Sequence, residues 1–383
     1  MTENRAKFHD KPHLHVEIGN YMQGMGDDRG VKNRWLWQGM QRLDIQVLNV
    51  AEDDIAELQA LGVNVQGSDR FISANLISTK TGEPLLKPYL VRQIALKGSS
   101  QKYRVGFLGL SGRESFLKTD AAGYTWADPQ ASAKKWLPEL RKACDFLIVL
   151  ACLPAREAVQ LAVDNSNIDI IVTGFKHQMS GPPARINQST ILYAEDEGKI
   201  LGEVRFSVAR GQKVDVQPFN HPLTRNIKDE AEMAALINQA KAAISQEQRA
   251  LVSQRPPVSA GPLSFATSHS CAPCHAAAFE VWQKSQHSHA IEILKKEKKE
   301  FDSACVGCHV TGNGRPGGFV NLNQTPQLAN VQCEACHGSG IQHAEKPTEA
   351  KMARLTADAC LTCHTKSNSP EFEFVSYWSK IKH

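Results

Sequence analysis

The chain has 383 residues, of which 42% are hydrophobic, and a formal net charge of +4 from 44 basic and 40 acidic side chains. This length suits two or three domains, and the hydrophobic content is ample for a packed core in the first part. The longest apolar run, residues 146–153, is far too short to span a membrane. The sequence therefore predicts no transmembrane segment.

Residues 13–220 have the pattern of an α/β domain. Runs rich in Val, Ile and Leu predict strands at residues 45–50, 71–77, 103–110, 146–152, 168–172 and 200–208. Helical patterns separate these runs at residues 54–61, 132–142 and 156–163. Strands that alternate with helices form sheets covered on both faces. No strand is followed by a G-x-G-x-x-G or Walker sequence, which argues against a dinucleotide or P-loop site.

A polar, alanine-rich helix is predicted over residues 228–253, with one apolar stripe suited to lying on a domain surface. The pair Pro256-Pro257 ends this pattern, and the Ser, Ala and Gly that follow mark a hinge. We therefore predict a first domain over residues 1–222, a helical linker over 223–262 and a second domain over 263–383.

The second domain carries one five-residue motif, C-x-x-C-H, four times. The motif residues are Cys271, Cys274 and His275; Cys305, Cys308 and His309; Cys333, Cys336 and His337; and Cys360, Cys363 and His364. This is the attachment motif of c-type haem. Its two cysteines form thioethers to the two vinyl groups of one porphyrin, and the adjacent histidine binds the iron. We predict four covalent haem c groups.

Four C-x-x-C pairs would also supply two zinc sites of four cysteines each. Zinc, however, does not need a histidine directly after each pair. The chain has only 14 histidines in 383 residues, so four such placements are improbable by chance. We favour haem.

Few apolar side chains lie in the last part of the chain, where roughly thirty residues serve each haem. Such a segment cannot bury enough surface alone. The porphyrins would have to form its core, wrapped by short helices and loops. Their propionates would offset the excess of basic side chains, so the formal charge gives no reason to expect a nucleic-acid partner.

Each iron with one histidine ligand needs a second axial ligand or has an open face. Five further histidines are available in this domain: His269, His287, His289, His343 and His383. Met352 is the only methionine between residues 264 and 383, which rules out methionine ligation of several haems. Bis-histidine ligation lacks the potential-raising thioether of Met/His cytochromes, so low reduction potentials follow. His269 lies too close to Cys271 to cap its own haem and would have to reach another, in this chain or the next.

The second domain resembles the tetrahaem cytochrome c family of ammonia oxidisers and related multihaem proteins of metal-reducing bacteria. The likeness lies in VWQKSQHSHAIEIL, CVGCHVTGNGRPGGF, VQCEACHGSGIQH and SPEFEFVSYWSKIKH. The resemblance implies that His287, His343 and His383 are distal ligands. His269 and His289 compete for the remaining place. Some family members leave one iron five-coordinate, so this alternative stays open.

The first domain resembles metallophosphoesterases of the periplasmic 5′-nucleotidase type. The likeness is clearest in FISANLISTKTGEPLLKPYLVRQI, KYRVGFLGLSG and CDFLIVLACLPAREAVQLAVDNSNIDIIVTGFKHQ. The resemblance implies an α/β four-layer αββα sandwich with two metals on loops at the strand ends. The family holds these metals with Asp-x-His, Gly-Asp, Gly-Asn-His-Glu, a later His and Gly-His-x-His.

This sequence departs from nearly every implied metal ligand. The Asp-x-His strand is absent, Gly19-Asn20 replaces Gly-Asp, and residues 48–52 read LNVAE where Gly-Asn-His-Glu would stand. Cys152 falls near the later His, and residues 174–177 read GFKH. Only Asn49 and His177 survive, whereas a two-metal hydrolase needs about six or seven ligands. We expect no phosphoesterase activity. A buried role is favoured for Cys152, and a reactive thiol there stays open.

Haem is attached to such motifs after export, which predicts a periplasmic or extracellular protein. The opening residues, MTENRAKFHDKPHLHV, have no apolar core of a signal peptide. Together with the missing Asp-x-His strand, this favours a start downstream of the true one.

The favoured function is an exported electron carrier with four closely packed bis-histidine haems, whose partners are other redox proteins or multihaem cytochromes and whose acceptors can be extracellular. Three alternatives stay open. In the first, the protein is an enzyme whose one open haem site reduces or oxidises a small nitrogen or oxygen compound. In the second, subunits join haem to haem into a conducting filament. In the third, the first domain retains phosphoesterase activity.

Overall fold

The computed structural model describes residues 12–24, 26–95, 102–112, 123–175, 181–194, 198–207, 215–224, 226–254, 265–353, 355–365 and 368–383. The chain divides into two compact units, Met1–Leu236 and Ile237–His383. None of the helices in the described ranges combines the length and hydropathy that a membrane crossing requires.

The first unit contains all the strands of the described residues. They are β1 (Val16–Glu17), β2 (Val47–Asn49), β3 (Phe71–Ile72), β4 (Leu76–Ser78), β5 (Tyr89–Ala95), β6 (Lys102–Ser111), β7 (Tyr124–Trp126), β8 (Phe146–Cys152), β9 (Ile170–Thr173), β10 (Ala184–Ile186), β11 (Ser189–Tyr193), β12 (Ile200–Ser207) and β13 (Asp215–Pro222). Its helices are α1 (Arg29–Arg42), α2 (Asp54–Ala60), α3 (Pro129–Ala143) and α4 (Ala155–Asp164), and α5 (Ala231–Gln254) contains the boundary between the units.

Two larger sheets organise the first unit. One has six strands in the order β10-β11-β9-β8-β6-β5, and the other has three in the order β1-β2-β3. Strands β11, β9, β8 and β6 pair in parallel, and β10 and β5 are antiparallel edges. The three-stranded sheet is parallel throughout. Two smaller antiparallel pairs, β4 with β7 and β12 with β13, complete the unit.

Strand β8 shows how the layers are built. Phe146 and Leu150 join an apolar cluster with Val47 of β2, so they pack between the two sheets. Leu147 and Val149 join a second cluster, which they share with helices α3 and α4. Alternate residues of a strand point to opposite faces, which is why an unbroken apolar run serves both clusters.

A third apolar cluster lies on the outer face of the three-stranded sheet. Leu48 of β2 packs there with Trp37 of α1 and with Ile55 and Leu58 of α2. The order is therefore helices, sheet, sheet, helices. This is the four-layer α/β sandwich that the sequence predicts.

The predicted strand over residues 71–77 is two strands, β3 and β4. The cause is Asn75, whose side-chain amide donates to the carbonyl oxygens of Ser111 (2.7 Å) and Ala127 (3.0 Å). Its Oδ1 accepts the Ser111 N–H at 3.0 Å. These hydrogen bonds join the segment between β3 and β4 to Ser111, the last residue of β6. A continuous strand would bond only to the strands on either side of it.

The second unit consists of short helices and loops. After α5 these are α6 (Ser268–Cys271), α7 (Ala276–Lys284), α8 (Ala290–Lys296), α9 (Ser303–Val306), α10 (Cys333–His337), α11 (Ile341–Glu345), α12 (Ala357–Leu361) and α13 (Phe374–Trp378), with 3₁₀ helices at Gln286–His289 and Pro326–Leu328.

Only one apolar cluster occurs in the described part of this unit. It comprises Phe265, Ile291, Leu294, Val306, Val310, Phe319 and Leu328. Helices α7, α11, α12 and α13 contain no fully buried side chain. Helices this short gain most of their stability from packing rather than from their own hydrogen bonds. They need a further apolar surface, as the sequence leads one to expect of a domain built around porphyrins.

Candidate functional site

Each C-x-x-C-H motif forms one helical turn. In the first motif the carbonyl of Cys271 accepts the N–H groups of Cys274 at 3.3 Å and His275 at 3.0 Å. The fourth repeats this, with Cys360 accepting from Cys363 at 3.2 Å and His364 at 2.9 Å. Residues three and four apart share a helix face. Two thiols and one imidazole therefore point to the same side, as attachment of one porphyrin requires.

Three motif histidines lie opposite three of the additional histidines. The ring centres are 6.0 Å apart for His275 and His343, and 6.2 Å apart for His287 and His364. They are 5.8 Å apart for the third pair, His337 and His383. Two imidazoles on opposite sides of one metal, each bonded at about 2 Å, have ring centres about 6 Å apart. The residues present thus fit a bis-histidine iron at three of the motifs.

Hydrogen bonds at Nδ1 orient several of these rings. The Nδ1–H of His343 donates to the Ala350 carbonyl at 2.7 Å, and that of His383 donates to the Ile381 carbonyl at 3.0 Å. His309 donates in the same way to the Ala290 carbonyl at 2.5 Å. A metal-binding histidine usually donates its other ring N–H to such an acceptor, which fixes the tautomer and leaves Nε2 available as the ligand.

Burial makes the second pair suitable as neutral ligands. Burial lowers the pKa of His287, and the neighbouring His364 lowers it further. Burial also lowers the pKa of His364. A neutral imidazole is the form that binds a metal.

The second motif differs from the other three. Within the described residues, His309 has no ring contact with another histidine. His269 is exposed and packs edge-on against Phe279, with ring centres 5.6 Å apart. His289 is exposed, as His383 is, and among the described residues its ring has no contact with another histidine ring. The structure thus separates His287, His343 and His383 from His269 and His289, and it does not provide the fourth histidine pair.

Cysteines of different motifs lie close to one another. Burial and the neighbouring Cys333 raise the pKa of Cys271 to about 11. Burial and a hydrogen bond to Cys363 raise the pKa of Cys308 to about 11. Burial and the nearby Cys360 do the same for Cys336. The four motifs are therefore adjacent in the order first, third, fourth, second.

A zinc site of this type would need four cysteines around one ion. In the ranges that the structure describes, no group of three or more His, Cys, Asp or Glu side chains is placed to hold a metal ion. The described C-x-x-C pairs do not converge into a four-cysteine site.

Glu334 is a residue of the site that sequence reasoning did not single out. It lies between the cysteines of the third motif and is only 1% exposed. The signal was available, because no other motif has a charged residue between its cysteines. Its surroundings are described below.

The first unit places its polar residues at the ends of β1 and β2, where the metal site of a phosphoesterase would lie. The side-chain amide of Asn49 donates to the carbonyls of Ile18 (2.7 Å) and Leu110 (2.8 Å). Asp54, just beyond β2, accepts N–H groups from Asn20 at 2.7 Å and Ala51 at 2.9 Å. These hydrogen bonds connect the segments that follow β1 and β2, while the buried Oδ1 of Asn49 has no hydrogen-bond partner among the described residues.

The remaining sequence expectations for the first unit concern two residues. Cys152 is the last residue of β8 and is 2% exposed, which agrees with a buried role. His177 lies outside the described residues. In the described part of the unit, the donor set does not fit two catalytic metals.

Comparison with known proteins relates the two units to different families. The family model described as "Cytochrome c554 and c-prime" matches residues 270–338. Cytochrome c-554 of Nitrosomonas europaea is 39% identical over 85 residues, which cover 18% of this chain and 36% of that protein. The second unit therefore resembles this cytochrome family. The matched residues, 270–338, contain the first three C-x-x-C-H motifs.

The first unit resembles nucleotidases. A 2′,3′-cyclic-nucleotide 2′-phosphodiesterase/3′-nucleotidase of Yersinia enterocolitica is 31% identical over 140 residues, which cover 34% of this chain and 21% of that protein. Among solved structures, the sulfate thiohydrolase SoxB of Thermus thermophilus matches with a TM-score of 0.54 and 16% identity, over 63% of this chain and 45% of that one. The latter likeness shows the fold alone. The chain therefore covers only about a third of the length of the cytochrome, a fifth of the phosphodiesterase/nucleotidase and less than half of SoxB.

Proposed function

We propose that the protein is an exported c-type cytochrome that carries electrons through four covalently attached haems. The observation that carries the proposal is the threefold pairing of a motif histidine with a second histidine at ring-centre distances of 5.8–6.2 Å. Histidines with unrelated structural roles have no reason to repeat this spacing. Bis-histidine ligation of iron requires it.

The residues have three roles in this proposal. Thioethers form at Cys271, Cys274, Cys305, Cys308, Cys333, Cys336, Cys360 and Cys363. The proximal ligands are His275, His309, His337 and His364. The distal ligands are His343 opposite His275, His287 opposite His364, and His383 opposite His337. Bound haem supplies a reversible one-electron couple, and bis-histidine ligation keeps its reduction potential low.

Transfer along the chain of haems follows from the adjacency of the motifs. Contacts between Cys271 and Cys333, and between Cys308 and Cys363, support two close pairs of sites. The proximity of Cys336 and Cys360 links one pair to the other. Electrons would therefore enter or leave at the first and second motifs, which lie at the two ends of this order.

A second candidate function rests on His309. Because no second histidine ring contacts it among the described residues, the iron of the second motif would have an open face. An open iron binds small molecules such as nitrogen or oxygen compounds, and the protein would then be an oxidoreductase. His269 and His289 are both exposed, and among the described residues neither ring contacts that of His309.

The proposed partners are other redox proteins, including multihaem cytochromes. All three histidine pairs form within one chain, so the proposal assigns no ligand to a neighbouring copy and does not need a filament. Covalent haem attachment implies export to the periplasm or beyond. The proposed regions remain residues 1–222, a linker at 223–262, and the haem domain at 263–383.

The first unit is proposed to be a phosphoesterase-like domain without catalysis. Asn49 is the one surviving metal ligand of that family in the described residues, and one ligand falls far short of the six or seven that two metals need. The unit is then a stable α/β body without chemistry of its own.

The proposal is tested with protein produced in a host that has haem-attachment machinery. The mass of the denatured protein should exceed that of the polypeptide by four haems. Cys→Ala changes at Cys360 and Cys363 together should lower the count to three. A protein that carries zinc and no covalent haem would overturn the proposal.

A further inference from the structure

Glu334 is a buried carboxylate held entirely by backbone N–H groups. Its Oε1 accepts from Ala266 at 2.8 Å and from Gly340 at 2.7 Å, and its Oε2 accepts from Thr267 at 2.8 Å. The side chain is part of a residue only 1% exposed. Within the described residues, no Lys, Arg or His forms an ion pair with it.

Three N–H donors around one carboxylate stabilise its ionised form. An ionised carboxylate only accepts hydrogen bonds, whereas a protonated one would present an O–H toward these N–H groups. Bonds from N–H groups to a charged acceptor are also about twice as strong as those between neutral groups. When Glu334 is ionised, the site holds one negative charge without a compensating positive side chain among the described residues.

Glu334 joins three parts of the proposed haem domain. Ala266 and Thr267 lead into α6, which begins the first motif, and Glu334 itself lies in α10 of the third. Gly340 is the residue before α11, which carries His343. One side chain therefore fixes the approach to two motifs and the start of a distal-ligand helix.

The charge acts on both motifs. Burial, Cys333 and then Glu334 raise the pKa of the Cys271 thiol to about 11, so the field of the carboxylate extends to the first motif. Glu334 also directly follows Cys333 of the third motif in the sequence. Buried charges interact strongly because little water screens them.

We propose that Glu334 lowers the reduction potential of the haems at the first and third motifs without binding their irons. Adding an electron makes a haem more negative, and a fixed buried anion nearby opposes that step. Net charge and burial are among the means by which a protein sets the potential of an iron site. This inference rests on the proposed haem binding, and the experiment keeps the two separable.

The test is potentiometric titration of the intact haem protein and of Glu334→Gln. The glutamine removes the charge, and its Oε1 can still accept from Ala266 and Gly340. We expect about a tenfold shift of the reduction equilibrium toward the reduced form at one or more haems, which is 59 mV for one electron. Low-spin absorbance and haem count should stay at the parent's values.

Two further variants separate charge from geometry. Asp358→Asn removes an exposed carboxylate two residues before Cys360 and should shift the titration much less, because water screens it. Glu334→Asp keeps the charge on a shorter chain and should stay near the parent's potentials even if its melting temperature falls.

The outcomes are distinct. A parent without covalent haem would refute the proposed function. A parent with haem whose potentials match those of Glu334→Gln would refute the role of Glu334. Equal shifts in Glu334→Gln and Glu334→Asp would also refute it, since geometry would then be the cause and not charge.

Discussion

The imidazole of His383 lies with its ring centre 5.8 Å from that of His337, the two ring planes being inclined by 60°. A residue near a chain end is usually poorly ordered unless something ties it down. Here a hydrogen bond from its Nδ1–H to the Ile381 carbonyl orients the ring. An iron between the two rings would secure the C-terminal segment to the third motif.

Replacement of His383 should open one axial position. In His383→Ala we expect one iron to change from low-spin to high-spin, because its distal imidazole is gone. Absorbance and electron paramagnetic resonance (EPR) of the oxidised protein measure this change. His269→Ala is the matched control and should leave both spectra unaltered, since His269 contacts Phe279 and no motif histidine. The reverse pattern, with a loss of low-spin iron in His269→Ala alone, would show that the distal assignment is wrong.

The histidine pairs illustrate what sequence can and cannot predict. Four motifs identify the proximal ligands, and five spare histidines limit the distal candidates. Pairing is a tertiary property: His275 and His343 are far apart in the chain and meet only through loops such as that held by Glu334. His269 and His289 have the same chemistry and, like His383, are exposed; among the described residues they differ from His383 because their rings do not face a motif histidine.

Asn49 should be important for stability rather than for catalysis. Asn49→Ala removes the donor from the buried carbonyl of Leu110 and from the partly buried carbonyl of Ile18. We expect the free energy of unfolding of the first unit to fall by about 2–4 kcal/mol, given about 1–3 kcal/mol for each unsatisfied buried group. Urea unfolding followed by circular dichroism measures it. Asn165→Ala, at a half-buried helix end, should cost less than half as much, and equal losses would argue against the cross-linking role.

In the first unit, apolar runs were the reliable signal. Strand β8 matches the predicted residues 146–152 because every position is apolar and both faces are covered. Helix α1 was not predicted, since its buried face mixes Val31, Trp37 and Met40 with a buried Asn33. The amide of Asn33 donates to Glu57 and to a backbone carbonyl, and such polar burial is invisible to hydrophobic periodicity.

The stability around Asp54 should depend on pH. Burial raises the pKa of Asp54 from 3.8 to about 7, against the opposing effect of its backbone N–H partners. Between these values the folded protein holds a proton that the unfolded chain lacks, so unfolding releases it. The contribution of Asp54 to the free energy of unfolding should therefore be fully present below pH 4. It should decline toward pH 7 by up to about 1.4 kcal/mol per pH unit.

Hydrogen exchange of peptides covering α2, corrected for the intrinsic rate at each pH, measures this decline. In Asp54→Asn the slope should vanish, although the level should drop because an amide cannot accept all three N–H groups. An unchanged slope in the variant would exclude Asp54 as its source.

Phosphoesterase activity should be absent. Purified protein given Mn²⁺ or Zn²⁺ with 5′-nucleotides or 2′,3′-cyclic nucleotides should release phosphate no faster than background, because a two-metal clamp needs ligands that this chain lacks. A functional nucleotidase assayed in parallel serves as the positive control. Metal-dependent turnover at ordinary enzymatic rates, about 1–10³ s⁻¹, would restore the hydrolase alternative.

The decisive measurement is a spin count by EPR on the oxidised haem-loaded protein. Three histidine pairs, and a His309 whose ring contacts no other histidine ring among the described residues, predict three low-spin irons for every high-spin iron. Four low-spin irons would mean that His269 or His289 moves to the second haem, leaving the three pairs intact. A spectrum dominated by high-spin iron, or one without haem iron, would contradict bis-histidine electron transfer in this protein.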